Sequence, residues 1–189
     1  MGCKLTKSID GKACDYSVAG AKALYLANFY NPVVGAAAVE DKIAYTTDAD
    51  KAVSAIKLPT GETFFRIDGR NNTISFTDAL LLGGNGGKYR QHTVNAQLNA
   101  EDADVLNEGD ALALGRFVAI VVDNAGKATL LGRTAGLIAP AGGLDYASGS
   151  AEADSNGWTL ILQGPSTEIA PHLTAESVIT PIYTEVVTP

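Results

Sequence analysis

A mainly β fold with one short flanking α-helix and an extended N-terminal arm is expected from this chain of 189 residues. Three observations carry that expectation. Short segments alternate apolar with polar side chains, at the two-residue period of a half-buried strand. Small-residue turns separate them, among them Asp123-Asn124-Ala125-Gly126-Lys127. Only one stretch, from Asn99 to Gly109, has the end signals of a helix.

The elements follow in chain order. Residues 1–17 are polar and aperiodic, and read as an extended arm that orders against a partner; residues 18–189 read as one domain. Segment 21–29 alternates with apolar groups on both sides, Ala23, Tyr25, Ala27 and Phe29 against Leu24 and Leu26, so both faces should be covered. Residues 31–50 read as a long connection with a short strand at 43–46. Segments 63–68 and 73–77 alternate and flank Gly69-Arg70-Asn71-Asn72, so the simplest expectation is that they pair as a hairpin. The run from Gly83 to Lys88 reads as a flexible loop.

Segment 89–98 alternates again, with Val94, Ala96 and Leu98 on one face and Thr93, Asn95 and Gln97 on the other. Asn99 then suits a helix N-cap, Glu101, Asp102 and Asp104 suit the positive end of the helix dipole, and Gly109 suits the stop; Ala103 and Leu106 supply the apolar stripe. Segments 117–122 and 128–132 form a second hairpin, and Trp158 to Gly164 a further strand. Residues 177–187, rich in β-branched side chains, read as a terminal strand that Pro181 restricts to an edge or a bulge.

Composition narrows the function. The charged fraction, 19%, lies below the roughly 25% usual in soluble domains, leaving a largely neutral surface that is easily desolvated against copies of itself. A net charge of -7 disfavours tight binding to a phosphate backbone. No run approaches the roughly 20 apolar residues of a membrane span, and the first apolar segment is broken by Gly20, Lys22 and Asn28, so the chain is expected to be soluble and made in the cytoplasm. Cys3 and Cys14, the only cysteines, match neither a four-ligand zinc site nor a short redox motif and are assigned no chemistry.

Motifs with catalytic or ligand-binding chemistry fail on inspection. The Gly87-Lys88 pair lacks the upstream Gly of a phosphate loop, since Leu82 stands there, and Tyr89 replaces the following Ser or Thr. The segment from Glu152 to Gly157 resembles half a calcium loop, but Gln163 occupies the place of the bidentate Glu. His92 and His172 have no neighbouring carboxylate or cysteine pattern, and no serine sits in a nucleophile elbow. The acidic residues, including Glu40, Asp41, Asp48 and Asp50, read as a solvated surface. No catalytic residue, metal site or cofactor is assigned, and an enzyme is not expected.

The order of arm, strand 21–29, polar-faced strands 73–77 and 89–98, short acidic helix, hairpin at 116–127, Leu130-Leu131-Gly132-Arg133-Thr134-Ala135-Gly136-Leu137 and the segment from Ser148 to Trp158 resembles the tail tube, or major tail, proteins of long-tailed bacteriophages, in a form similar to those of phages of Bacteroidetes hosts. The resemblance spans roughly residues 3–164. It implies a β-sandwich or partly closed barrel with a flanking helix, assembled as stacked hexameric rings in the virion tail after synthesis in the host cytoplasm. It further implies a lumen that DNA crosses during ejection without tight binding, and contacts with tape-measure and with tail terminator or baseplate proteins. Carried onto this chain, it makes Thr73, Ser75, Thr77, Thr93, Asn95 and Gln97 the candidate lumen face. Gly83, Gly84, Asn85, Gly86, Gly87 and Lys88 become a candidate stacking loop, as do residues 1–17 and 31–50. Two other readings compete: another virion role, such as capsid decoration, head fibre or head-tail connector, and a carbohydrate-binding or adhesion β-sandwich, for which the single Trp158 gives little support.

Overall fold

A computed structural model describes residues 19–34, 41–69, 72–84, 86–98, 103–150 and 156–184. In chain order the elements are β1 (Ala21–Asn28), β2 (Asn31–Val34), β3 (Lys42–Thr47), β4 (Val53–Lys57), β5 (Phe64–Ile67), β6 (Ser75–Leu82), β7 (Lys88–Leu98), α1 (Ala103–Leu114), β8 (Arg116–Asp123), β9 (Ala128–Leu131), β10 (Leu137–Ile138), β11 (Leu144–Ala147), β12 (Gly157–Ser166) and β13 (Tyr183–Thr184). Ten strands form one sheet in the order β13-β5-β1-β8-β10-β12-β7-β6, with β9 added to β8 and β11 to β12. The remaining three form a small sheet, β2-β3-β4. The fold is mainly β, antiparallel apart from the β13–β5 and β2–β3 pairs, with one α-helix.

Strands β1 and β8 pair along their whole length, from Ala21↔Asp123 to Asn28↔Phe117, and their alternating side chains feed two separate cores. On one face Leu24, Leu26, Phe117, Ala119 and Val121 share a core with Val94, Ala96 and Leu98 of β7 and Leu160 and Leu162 of β12. Four strand spacings separate β1 from β7 in the sheet, about 19 Å if it were flat. A shared core therefore requires the sheet to curl, bringing this face of its two halves together. Val105 and Leu112 of α1 pack on the same core. One bridge, the Ala21 N–H donating to the Ile74 carbonyl at 3.0 Å, ties the start of β6 back to β1, but among the described residues the sheet does not close into a barrel.

On the other face Ala23, Tyr25, Ala27, Val118, Ile120, Val122 and Leu130 form a second core with Ile43, Tyr45, Val53 and Ile56 of the small sheet. The small sheet thus covers the β1–β8–β9 half. The same face of the β12–β7–β6 half remains exposed or half-buried.

Between β8 and β12 lies only β10, whose Ile138 pairs with Arg116 on one side and Gln163 on the other. Here the backbones come together at Gly164, where an added Cβ would stand 2.0 Å from the Gly136 carbonyl oxygen. No side chain fits.

Several expectations are corrected. Segments 63–68 and 73–77 do not pair with each other: β5 pairs with β1, Leu24 opposite Ile67, while β6 pairs with β7 from Ser75↔Asn95 to Leu82↔Lys88. The strand continues through Asp78-Ala79-Leu80-Leu81-Leu82, so eight positions on β7 outcompete the short β5. The glycine-rich run is accordingly the hairpin turn, closed by the Gly83 N–H to the Gly87 carbonyl at 2.7 Å, with Lys88 already in β7. The helix passes through Gly109 to Leu114, and its stripe is Val105 and Leu112, since Leu106 is exposed. The short strand expected at 43–46 is β3, with Ile43 and Tyr45 in the second core, and the connection before it adds β2; residues 35–40 lie outside the described residues.

Segment 177–187 is no strand over most of its described length. It makes two 3-10 turns, Glu176–Val178 and Thr180–Ile182, with Pro181 at the start of the second, before the two residues of β13. Ile179 and Ile182 both pack on the second core, a spacing of three that a 3-10 turn satisfies and a strand does not. The arm at 1–17, both cysteines, Asn85, Asn99, Glu101 and Asp102 lie outside the described residues.

Leu162, fully buried in the first core, should lose about 2–5 kcal/mol of stability as Leu162→Ala, measured by equilibrium denaturation. Gly164→Ala forces two backbones apart and is expected to cost about 1–3 kcal/mol or more in the same assay, although it adds a single methyl.

Candidate assembly surface

The uncovered face is built by register. Ser75 lies opposite Asn95, which lies opposite Ile161; Thr77 is opposite Thr93, and Thr93 opposite Gln163; Ala79 is opposite Gln91, and Gln91 opposite Pro165. Thr73 joins the row of Gln97 and Thr159: its hydroxyl accepts the Gln97 N–H at 3.3 Å. The Gln91 amide donates to the Gln163 carbonyl oxygen at 2.8 Å, fixing two side chains across strands. All six residues expected on one polar face, Thr73, Ser75, Thr77, Thr93, Asn95 and Gln97, are brought together there, exposed or half-buried.

Not one of these positions carries a charge, although charged residues are close by. Asp78, Lys88 and Arg90 occupy alternate positions and point to the opposite side, while Asp145 stands at the margin, opposite Thr159. The surface offers hydroxyls and amides in an acidic protein. Gln91, Thr159 and Gln163 belong to it as well; Gln91 continues the alternation of Thr93, Asn95 and Gln97, and Thr159 and Gln163 alternate along the segment that the sequence marks simply as a further strand.

Strand β6 ends the sheet. Apart from the bridge at Ile74, no strand among the described residues pairs with its free side. Such an edge offers unpaired backbone groups to another chain. Beyond the last β12 pair, Ser166↔Arg90, the β6–β7 hairpin projects with Leu80 and Leu82 on one face and Tyr89 on the other, all exposed.

Charge is instead gathered behind β6. The Asp78 carboxylate accepts from Arg90 Nε at 2.6 Å and from the Ala170 N–H at 3.0 Å, and His92 Nε2 stands 3.5 Å away. Burial opposes ionisation of Asp78, but the Arg90 and Ala170 hydrogen bonds and the nearby His92 and Arg90 hold its carboxyl below the ordinary value. Arg133 grips Glu168 with two hydrogen bonds and lies over the Tyr45 ring at 5.7 Å. Burial pushes the Tyr45 hydroxyl up, against the pull of Arg133.

The remaining candidates find structural places. Asp48 accepts the N–H groups of Asp50 and Ala52 and so closes the turn before β4. His172 Nδ1 lies 3.1 Å from the Thr129 hydroxyl. Trp158 packs against the first core with Tyr146 at 5.3 Å. Among the described residues no group of three or more His, Cys, Asp or Glu side chains gathers to hold a metal ion. A groove of about 350 Å³ opens beside β10, lined by Phe29, Arg116, Ile138 and Pro165, with the Arg116 guanidinium over the Phe29 ring at 5.7 Å. Comparison with family models, with curated proteins and with solved structures finds no match.

Asp78→Asn keeps the side-chain shape but removes the charge that Arg90 pairs with, and is expected to cost about 1–3 kcal/mol at neutral pH. Because the folded carboxyl is held low, its contribution is complete above about pH 4 and is lost as the pH falls through the folded value. Denaturation of both proteins across acid pH should show the gap between them closing.

Proposed function

We propose that the chain is a structural virion protein: the tail tube subunit of a long-tailed bacteriophage, assembling into stacked hexameric rings around a channel for DNA. The observation that carries the reading is the charge-free face of β6, β7 and β12 beside the open edge of β6. Neutral hydroxyls and amides give DNA no ionic foothold, because adhesion to phosphates is supplied mainly by Lys and Arg. In the same reading the two sheets form a β-sandwich whose larger sheet curls into a partly closed barrel, and β6 pairs sideways with the next subunit, removing an edge that would otherwise aggregate. The projecting Leu80, Leu82 and Tyr89 hairpin, closed by Gly83 to Gly87, serves contacts between copies. Tape-measure and terminator or baseplate proteins are the partners at the ends of the tube.

The test is the state of the purified full chain. Size-exclusion chromatography with light scattering and negative-stain microscopy should show sixfold rings or tubes. A monomer persisting at high concentration would overturn the assembly reading, and threefold particles would replace the tail with another place in the virion. Thr77→Lys with Thr93→Lys sets two like charges directly opposite each other and should cost about 1–2 kcal/mol of subunit stability. The assembled variant should acquire salt-sensitive retention of duplex DNA that the unmodified protein lacks.

A further inference from the structure

The segment 167–174, between β12 and the first 3-10 turn, is fastened to three separate strands. At its start the Ala170 N–H reaches Asp78 of β6, and the Ala170 side chain enters the first core. It then runs along the free edge of β9, where the Leu130 N–H donates to the Pro171 carbonyl and the Leu173 N–H to the Ala128 carbonyl, each at 2.9 Å. Finally it joins β4: the Val53 N–H donates to the His172 carbonyl at 2.8 Å and the Thr174 N–H to the Val53 carbonyl at 2.9 Å, with Leu173 in the second core. One strap of chain stitches both sheets and both cores.

The protein has two histidines, and both sit at this strap. His172 belongs to it. His92, 1% exposed, faces it from β7. The His92 Nδ1 accepts the Gly132 N–H at 3.3 Å, so the neutral ring carries its proton on Nε2. That nitrogen is buried, 3.5 Å from a carboxylate oxygen of Asp78, a group already committed to Arg90 and Ala170, and the Glu168 backbone of the strap also serves the ring. A second proton must go onto Nδ1, where it meets the Gly132 N–H, donor against donor. Gly132 has little room to withdraw: its φ is +74°, and an added Cβ would stand 2.7 Å from Leu137.

We propose that residues 167–174 are an acid-released strap: protonation of the buried His92 detaches the segment from β9 and β4. The groups facing His92 pull in both directions. Burial is the largest influence and opposes the charge, as does Arg90 on β7, whereas Asp78 on β6 and Glu168 on the strap favour it; the net effect holds His92 below the ordinary imidazole value. His172 is exposed and secondary: partial desolvation and Lys127 lower its value against the pull of Asp123. A histidine whose value is depressed in the closed state stabilises closure fully above about pH 6.5 and loses that contribution as the pH falls below it.

Hydrogen exchange on the full chain at about pH 7.5 and about pH 5, corrected for intrinsic rates, tests the proposal. The Leu130, Leu173 and Thr174 amides should exchange about fivefold faster or more at the lower pH, while those of β8 keep their protection. The variant His92→Gln, whose amide cannot charge, should remove the difference. If that variant does not fold, imidazole titration by NMR in the unmodified protein should give a His92 midpoint below the ordinary value, tracked by the Leu173 amide. Equal strap protection at both pH values, loss in parallel with β8, an undiminished loss in the variant, or a His92 midpoint at or above the ordinary value would each overturn it.

Discussion

Burial of β1 and β8 on both faces is the constraint from which the architecture follows. A strand pair with apolar side chains on alternate sides has to be covered twice, and the chain meets the two demands differently. The first face is covered by the sheet itself, curled so that β12 and β7 lie against β1 and β8. The second is covered by an independent three-stranded sheet and by the turns near the C-terminus. Both solutions bury aliphatic side chains that contribute about 1.5–3 kcal/mol each relative to exposure. The β12–β7–β6 half was needed to cover only one of these faces, so its own far side was left free to be polar.

Much of this was legible because period-two alternation reports directly on faces. The double-sided apolar pattern at 21–29 announced two cores, and Thr93-x-Asn95-x-Gln97 announced the polar face. Pairing was less legible. A strand's side chains say which way it faces, whereas its neighbour is chosen by competition among distant segments; hence β5 lies beside β1, and β6 beside β7. Elements held by long-range contacts were invisible, notably the two-residue β10 and the strap at 167–174, whose backbone bonds go to β9 and β4. At the C-terminus, β-branched composition pointed to a strand, but Ile179 and Ile182 had to reach the same core, and burial outweighed propensity.

The polar face and the buried charges behind β6 are two consequences of one alternation. Even-numbered positions of β6 and β7 carry Asp78, Arg90 and His92 inward or to the hairpin base, where Asp78 pairs with Arg90 and with the strap and the His92 ring stands beside them. Odd-numbered positions carry only neutral groups outward. The ion pair fastens the strand while contributing nothing to the electric character of the surface in front of it. A one-residue slip of β6 would exchange the two sets, placing a carboxylate on the neutral face and a threonine in the ionic cluster.

The thinness of the sheet at β10 has a mechanical meaning. Elsewhere neighbouring strands are laced by long ladders, as in the nine pairs between β12 and β7, whereas among the described residues the ladder through β10 consists of Leu137↔Phe117, Ile138↔Arg116 and Ile138↔Gln163. What holds the two halves at their angle is therefore side-chain packing in the first core, the Ala21–Ile74 bridge and the close approach of Gly164 to Gly136, rather than a run of strand hydrogen bonds. Repacking that core would reshape the whole sheet, because little backbone pairing at the seam resists it.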